Sequence, residues 1–95
     1  MKIKKDPSPN FSSNIRPKKN IKFLIIHYTG MQSEIESLKR LKSVKSKVSC
    51  HYLINRMGVI TQMVREDKVA WHAGKSKWKK FINLNEHSIG IELVN

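Results

Sequence analysis

A chain of 95 residues has room for one domain at most. Its 39% hydrophobic content lies in clustered runs, none long enough to span a bilayer as a helix, so a helical membrane protein and a wholly disordered chain are both excluded. The net charge of +12 favours polyanionic partners (nucleic acid, anionic lipid or an anionic wall polymer), but the lysines are spread along the chain instead of forming an arginine stripe between aromatics, which argues against a dedicated nucleic-acid binder.

Residues 1–20 hold all three prolines, Pro7, Pro9 and Pro17, with Asn, Ser and Lys between them. This predicts an extended, basic arm ahead of a folded part at 21–95. The arm has no apolar core and no small-residue cleavage site, so it does not read as a signal peptide. As the sequence stands, a cytoplasmic location is expected; an incomplete N-terminus would make it periplasmic or envelope-associated. Ile21 to Tyr28 is apolar except for Lys22 and predicts a buried central strand. Ser33-Glu34-Ile35-Glu36 has the Ser-x-x-Glu form of a capping box, and Ile35, Leu38, Leu41 and Val44 follow at three-residue intervals, predicting an amphipathic helix of about three turns. Val48 to Asn55 and Val59 to Val64 predict two strands of a hairpin about Arg56-Met57-Gly58. Lys75 to Asn85 reads as a basic loop, and Ser88 to Val94 as a last strand interrupted by Gly90. Strand, helix, hairpin, loop and strand together imply an α/β fold with a mixed central sheet. No element follows the last strand to cover the second face of the sheet, which points to an incomplete domain.

Four kinds of side chain in this pattern carry chemistry. His27, at the end of the first strand, is open to three readings: metal ligand, general base or hydrogen-bonded core histidine. Glu92 sits inside the apolar run Ile89 to Val94. It is either a carboxylate buried for proton transfer or the outward member of a simple alternation in which Ile89, Ile91 and Leu93 point inward. Trp71-His72-Ala73-Gly74 is either a tight turn with a packing Trp or a segment that lets a ligand approach the backbone. Cys50 is the single cysteine, so no internal disulfide forms. His51 beside it points to the opposite face of a strand and cannot act as its base, which favours a small buried thiol over a nucleophile. His87 is expected to be exposed at the start of the last strand. The four histidines show no local metal-binding spacing.

Taken in order, Phe23-Leu24-Ile25-Ile26-His27-Tyr28-Thr29-Gly30-Met31, Val48-Ser49-Cys50-His51-Tyr52-Leu53-Ile54, Ala70-Trp71-His72-Ala73-Gly74 and Ser88-Ile89-Gly90-Ile91-Glu92-Leu93-Val94-Asn95 closely resemble the zinc-dependent N-acetylmuramoyl-L-alanine amidases of the type-2 amidase family, relatives of the peptidoglycan recognition proteins. Ser8-Pro9-Asn10 resembles the AmiD-type branch, so the similarity runs from about residue 8 to the end. The resemblance implies an amidase-like mixed sheet with flanking helices, and hydrolysis of the amide between N-acetylmuramic acid and L-alanine of the peptidoglycan stem peptide, in peptidoglycan degradation or recycling. It implies that His27 ligates a catalytic zinc and that Glu92 handles protons. Trp71, His72, Ala73, Gly74 and Asn85 would line the substrate groove, and peptidoglycan or muropeptides would be the partners, with no specific nucleic acid. In the family a second histidine and an Asp or Cys complete the zinc site after the strand that carries Glu92. One of three expected ligands is therefore present, and residues 21–95 are expected to be the N-terminal portion of such a domain. The alternatives are a non-catalytic peptidoglycan-binding module and an inactive gene fragment.

Overall fold

The computed structural model describes residues 2–31 and 33–95. Its centre is a five-stranded mixed sheet built from β1 (Lys4–Lys5), β3 (Phe23–Tyr28), β4 (Tyr52–Ile54), β5 (Ile60–Gln62) and β9 (Ser88–Leu93), in the order β1-β5-β4-β9-β3. β9 runs parallel to both β3 and β4, β4 and β5 are antiparallel, and β1 is parallel to β5. The β4–β5 hairpin closes as expected. Gly58 takes φ +82° in its turn, and the Asn55 side-chain oxygen accepts from the backbone N–H groups of Met57 and Val59.

The arm is extended, yet it is part of the domain and not an appendage. β1 extends the main sheet, and β2 (Phe11–Ile15) pairs antiparallel with β6 (Lys68–Ala70). Ser8, Asn10 and Arg16 are buried. The Asn10 amide donates to the carbonyls of Ser43 and Val48 at 2.8 and 2.9 Å, and Arg16 Nε donates to the Glu66 carbonyl at 2.9 Å. Pro and Lys composition hid this, because the partners that anchor the arm lie far away in sequence.

The helix α1 (Glu34–Lys42) starts where the capping box placed it, with Ser33 Oγ accepting from the Glu36 N–H at 3.1 Å. Its buried face differs from the expected stripe. Leu41 is buried and Leu38 half-buried, but Ile35 and Val44 are each 69% exposed. Repeated three-residue steps drift backward on a helix of about 3.6 residues per turn, which carries Ile35 away from the Leu41 face, and Val44 lies beyond the helix end in a 3-10 turn over Val44–Ser46. The buried face carries Ser37, Leu38 and Leu41, and the two leucines pack against Cys50, Leu53, Met63 and Val94. Cys50 is thus a buried core thiol, and burial, reinforced by the charge of Glu92, pushes its pKa well above the ordinary range.

β3 departs from the expected central position. It is an edge strand that pairs with β9 alone, and Leu24, Ile26 and Tyr28 on its outer face are 54–67% exposed. The basic stretch after Gly74 also holds more structure than a loop. β7 (Lys77–Trp78) and β8 (Phe81–Ile82) pair antiparallel, Phe81 packs edge-on against Phe23 at 5.1 Å, and a 3-10 turn over Leu84–His87 leads into β9. His87 is half-buried in this turn, with Nδ1 3.2 Å from the Asn20 carbonyl.

Candidate functional site

The parallel pairing of β3 with β9 sets His27 directly opposite Glu92. The same register puts Phe23 beside Ser88 and Ile25 beside Gly90, so Ser88, Gly90 and Glu92 share one face, and α1 residues line the cleft at its Glu92 end. This decides the alternation left open by the sequence: Glu92 faces the packed side, and Ile89, Ile91 and Leu93 face away. A cleft of about 210 Å³ opens there, at the carboxyl ends of the two strands, lined by His27, His72 and Glu92 with Ser37, Arg40 and Leu41 of α1.

Glu92 is partly buried, and its Oε2 is almost inaccessible to solvent and has no hydrogen-bond partner among the described residues. Burial raises its pKa above the ordinary carboxylate value, opposed by the nearby charges of His27 and Arg40. A carboxyl in this state holds a proton more firmly than a solvated one, and its residue lines the cleft.

His72 is held from several directions. Its backbone N–H and that of Ala73 donate to Asn85 Oδ1 at 3.1 and 2.8 Å. Its ring lies against Gly90, where an added Cβ would come within 2.4 Å of the ring carbons. The interruption at Gly90 therefore has a steric cause: the strand needs a residue without a side chain so that the His72 ring can cross it. His72 Nδ1 is 3.0 Å from His27 Nε2, and His72 Nε2 is 3.1 Å from Ser88 Oγ. Burial first, then the neighbouring His27, His51 and Arg16, push the pKa of His72 down to about 3.

His51, fully buried, supports β9 from its β4 edge, with its ring 6.1 Å from that of His72. Its Nδ1 accepts from the Gly90 N–H at 3.0 Å, so the ring proton is on Nε2, which donates to the Lys68 carbonyl at 2.8 Å. Burial, then the charge of Arg16, lower its pKa, against the pull of the Lys68 carbonyl. Arg16 NH1 donates to the Asn85 carbonyl at 3.0 Å, which ties the arm to the residue that holds His72. Arg16→Ala is expected to lower stability by about 1.5–3 kcal/mol, because the part-buried hydrogen bonds of its charged group to the Glu66 and Asn85 carbonyls are lost. Urea denaturation measures this, and an unchanged midpoint would contradict it.

His51 and His72 both have a defined effect on pH dependence. Their folded pKa values lie below the ordinary value of 6.5, so between those limits the unfolded chain binds protons that the folded one refuses. Their contribution to stability is complete above the ordinary histidine range and is lost as pH falls below it, for His72 down toward about 3. Each is expected to contribute a slope of up to about 1.4 kcal/mol per pH unit. Urea midpoints should therefore fall steadily from pH 7 to 5; a flat profile would show that these rings are not held neutral.

The predicted residues do not all meet in one place. His27, His72 and Glu92 share the cleft, whereas Trp71, Gly74 and Asn85 line a separate cavity of about 540 Å³ with Asn14, Arg16 and Asn83. Trp71 is fixed there by its indole N–H donating to Ser12 Oγ at 3.1 Å. Asn85 and Ala73 meet each other, as acceptor and donor. Ser88 and Arg16 were not singled out as site residues by sequence. Ser88 had a signal, since it alternates with Gly90 and Glu92 as the small or polar member of an apolar strand. Arg16, one basic residue in a lysine-rich arm, had none.

The resemblance implies zinc. His27 fits one coordination position: it lines the cleft beside the orphaned Glu92 oxygen, and its Nδ1 has no hydrogen-bond partner among the described residues. Among the described residues, however, no three His, Cys, Asp or Glu side chains gather around one point. They supply part of a three-ligand site and do not complete it.

The fold and cleft define an α/β domain that sets a cleft-lining histidine beside a partly buried carboxylate whose pKa burial raises. Residues 17–95 match the family model Amidase_2, N-acetylmuramoyl-L-alanine amidase, and the chain belongs to that family. It is 44% identical over 82 residues to the N-acetylmuramoyl-L-alanine amidase AmiD of Escherichia coli (strain K12), covering 79% of this chain and 29% of the relative. Among solved structures, a selenomethionine derivative of AmpD superposes with a TM-score of 0.81 at 31% identity, covering 98% of this chain and 61% of the other. Escherichia coli AmiD in complex with the substrate anhydro-N-acetylmuramic acid-L-Ala-D-gamma-Glu-L-Lys superposes with a TM-score of 0.71 at 41% identity, over 88% of this chain and 34% of the other. The chain thus spans less than a third of the AmiD relative's length. Among the described residues, no helix is long and apolar enough to cross a membrane.

Proposed function

We propose that this chain carries the proton-handling half of a peptidoglycan amidase site, which hydrolyses the amide between N-acetylmuramic acid and the L-alanine of the stem peptide. The observation that carries this reading is the β3–β9 register, which pairs His27 with a Glu92 whose Oε2 is buried and unpartnered among the described residues. An amine leaves an amide poorly unless it is protonated. Glu92, with its raised pKa, is suited to take a proton from the attacking water and return it to the departing L-alanine nitrogen. Arg40 lines the same cleft and tempers the cost of the carboxylate form. His27 would hold one position of a zinc ion, which when bound polarises the scissile carbonyl and lowers the pKa of its water. Since the described residues gather no further ligands, zinc affinity is expected to be weak, and zinc must be supplied in excess.

The test is to incubate the purified chain with an anhydro-N-acetylmuramyl peptide and excess zinc, and to follow release of the stem peptide by mass spectrometry. Release that depends on zinc and disappears in His27→Ala supports the reading. Binding without release favours a non-catalytic peptidoglycan-binding module, for which the separate cavity beside Trp71 and Asn85 is the candidate groove. Neither binding nor release overturns both readings.

A further inference from the structure

We propose that His72 and Ser88 are positioning residues that fix which ring nitrogen His27 presents to the cleft. A chain of hydrogen bonds runs from the backbone to His27, and its direction is determined at its far end. The Leu84 carbonyl can only accept, so the Ser88 hydroxyl, 2.7 Å away, gives it its single proton. Ser88 Oγ then has only lone pairs for His72 Nε2 at 3.1 Å, so the proton on the His72 ring lies on Nε2. The neutral ring thereby offers a lone pair at Nδ1, and His27 Nε2, 3.0 Å away, must be the donor. With its proton on Nε2, a neutral His27 carries its lone pair on Nδ1. The reverse direction would require Ser88 to give its one proton twice.

The ring that transmits this preference cannot readily turn away. Asn85 holds its backbone, and Gly90 leaves space for the ring at that one place. Ser88, fully buried at the start of β9, is held by its own bond to the turn that precedes it. A hydroxyl at 88, an imidazole at 72 and the absence of a side chain at 90 therefore act together on one atom, His27 Nδ1. This builds on the proposed role of His27 as a ligand, since a lone pair on a defined nitrogen is what a metal or a proton would meet there.

The test is long-range proton–nitrogen correlation NMR of the histidine rings in the isotope-labelled chain, at about pH 8, above the ordinary histidine range. The expected His27 pattern is one protonated nitrogen at Nε2 and one unprotonated nitrogen at Nδ1, as two well-separated resonances. Ser88→Thr keeps the hydroxyl and should keep the pattern. Ser88→Ala removes it, and the two His27 resonances should move toward a common, averaged position. A proton on Nδ1 in the unsubstituted chain overturns the proposal, as does an unchanged His27 pattern in a folded Ser88→Ala variant. If that variant does not fold, the unsubstituted spectrum decides alone. The measurement needs neither zinc nor muropeptide, so failed hydrolysis would overturn the amidase reading and leave this one standing.

Discussion

Glu92→Gln is expected to reduce stem-peptide release by about 10²–10⁴-fold, the range typical of a lost general acid–base group. The substitution keeps the size and shape of the side chain and removes its ability to carry a proton between water and the leaving amine. Stability should move the other way. The raised pKa means that the folded state binds a proton at Glu92 more tightly than the unfolded chain does. Glu92 therefore costs stability as pH rises from the ordinary carboxylate value through its folded one. Gln carries no charge to desolvate, so the variant should equal or exceed the parent in urea midpoint at neutral pH, with the advantage shrinking in acid. Product release and urea midpoints measured on one preparation separate the two effects. Full activity in Glu92→Gln would remove the carboxylate from the mechanism, and a large loss of stability would mean that the buried oxygen has a structural partner after all.

Gly90→Ala is expected to destabilise the chain by about 3 kcal/mol, at the upper end of the cost of overpacking. Local reasoning predicts the opposite sign. Replacing a strand glycine normally stabilises by about 0.4–1 kcal/mol, because the unfolded chain loses freedom. The difference lies in what the new methyl group would meet, His72 Cδ2 and Cγ at 2.4 Å. The backbone at Gly90 cannot readily retreat, since its N–H donates to His51 Nδ1 and its carbonyl accepts from the His51 N–H at 2.9 Å. The His72 ring cannot readily yield either without breaking its bonds to Ser88 and His27. Urea denaturation gives the sign directly, and a midpoint at or above that of the parent would show that the ring is less constrained than its contacts indicate. A loss of the distinct His72 ring resonances alongside the lower midpoint would place the damage at the site.

Much of this was legible in the residues themselves. The Ser33 cap, the hairpin about Gly58, the last strand and the mixed sheet all come from short-range signals: a hydroxyl three residues before an acid, a glycine between two β-favouring runs, apolar residues in a row. The family was legible too, because four motifs occur in order, and the match over residues 17–95 agrees. Residue chemistry without that resemblance left His27 and Glu92 undecided. Nothing local says whether an imidazole at a strand end meets a carboxylate, and period-two alternation is compatible with either face for Glu92.

What the sequence determined by itself was the identity and order of the main elements, β3, α1, the β4–β5 hairpin and β9, since backbone propensity and side-chain periodicity act over a few residues. Tertiary structure decided the rest. It placed β3 at the sheet edge and turned the helix so that Ser37, Leu38 and Leu41 are its packed face. It drew the proline-rich arm into the sheet through Asn10 and Arg16. It also joined His27, His72 and Ser88 in one directed hydrogen-bond chain beside Glu92. The physical reason is separation along the chain: Arg16 and Asn85, or His27 and Glu92, become neighbours only once strand register is set, and register depends on the packing of the whole sheet.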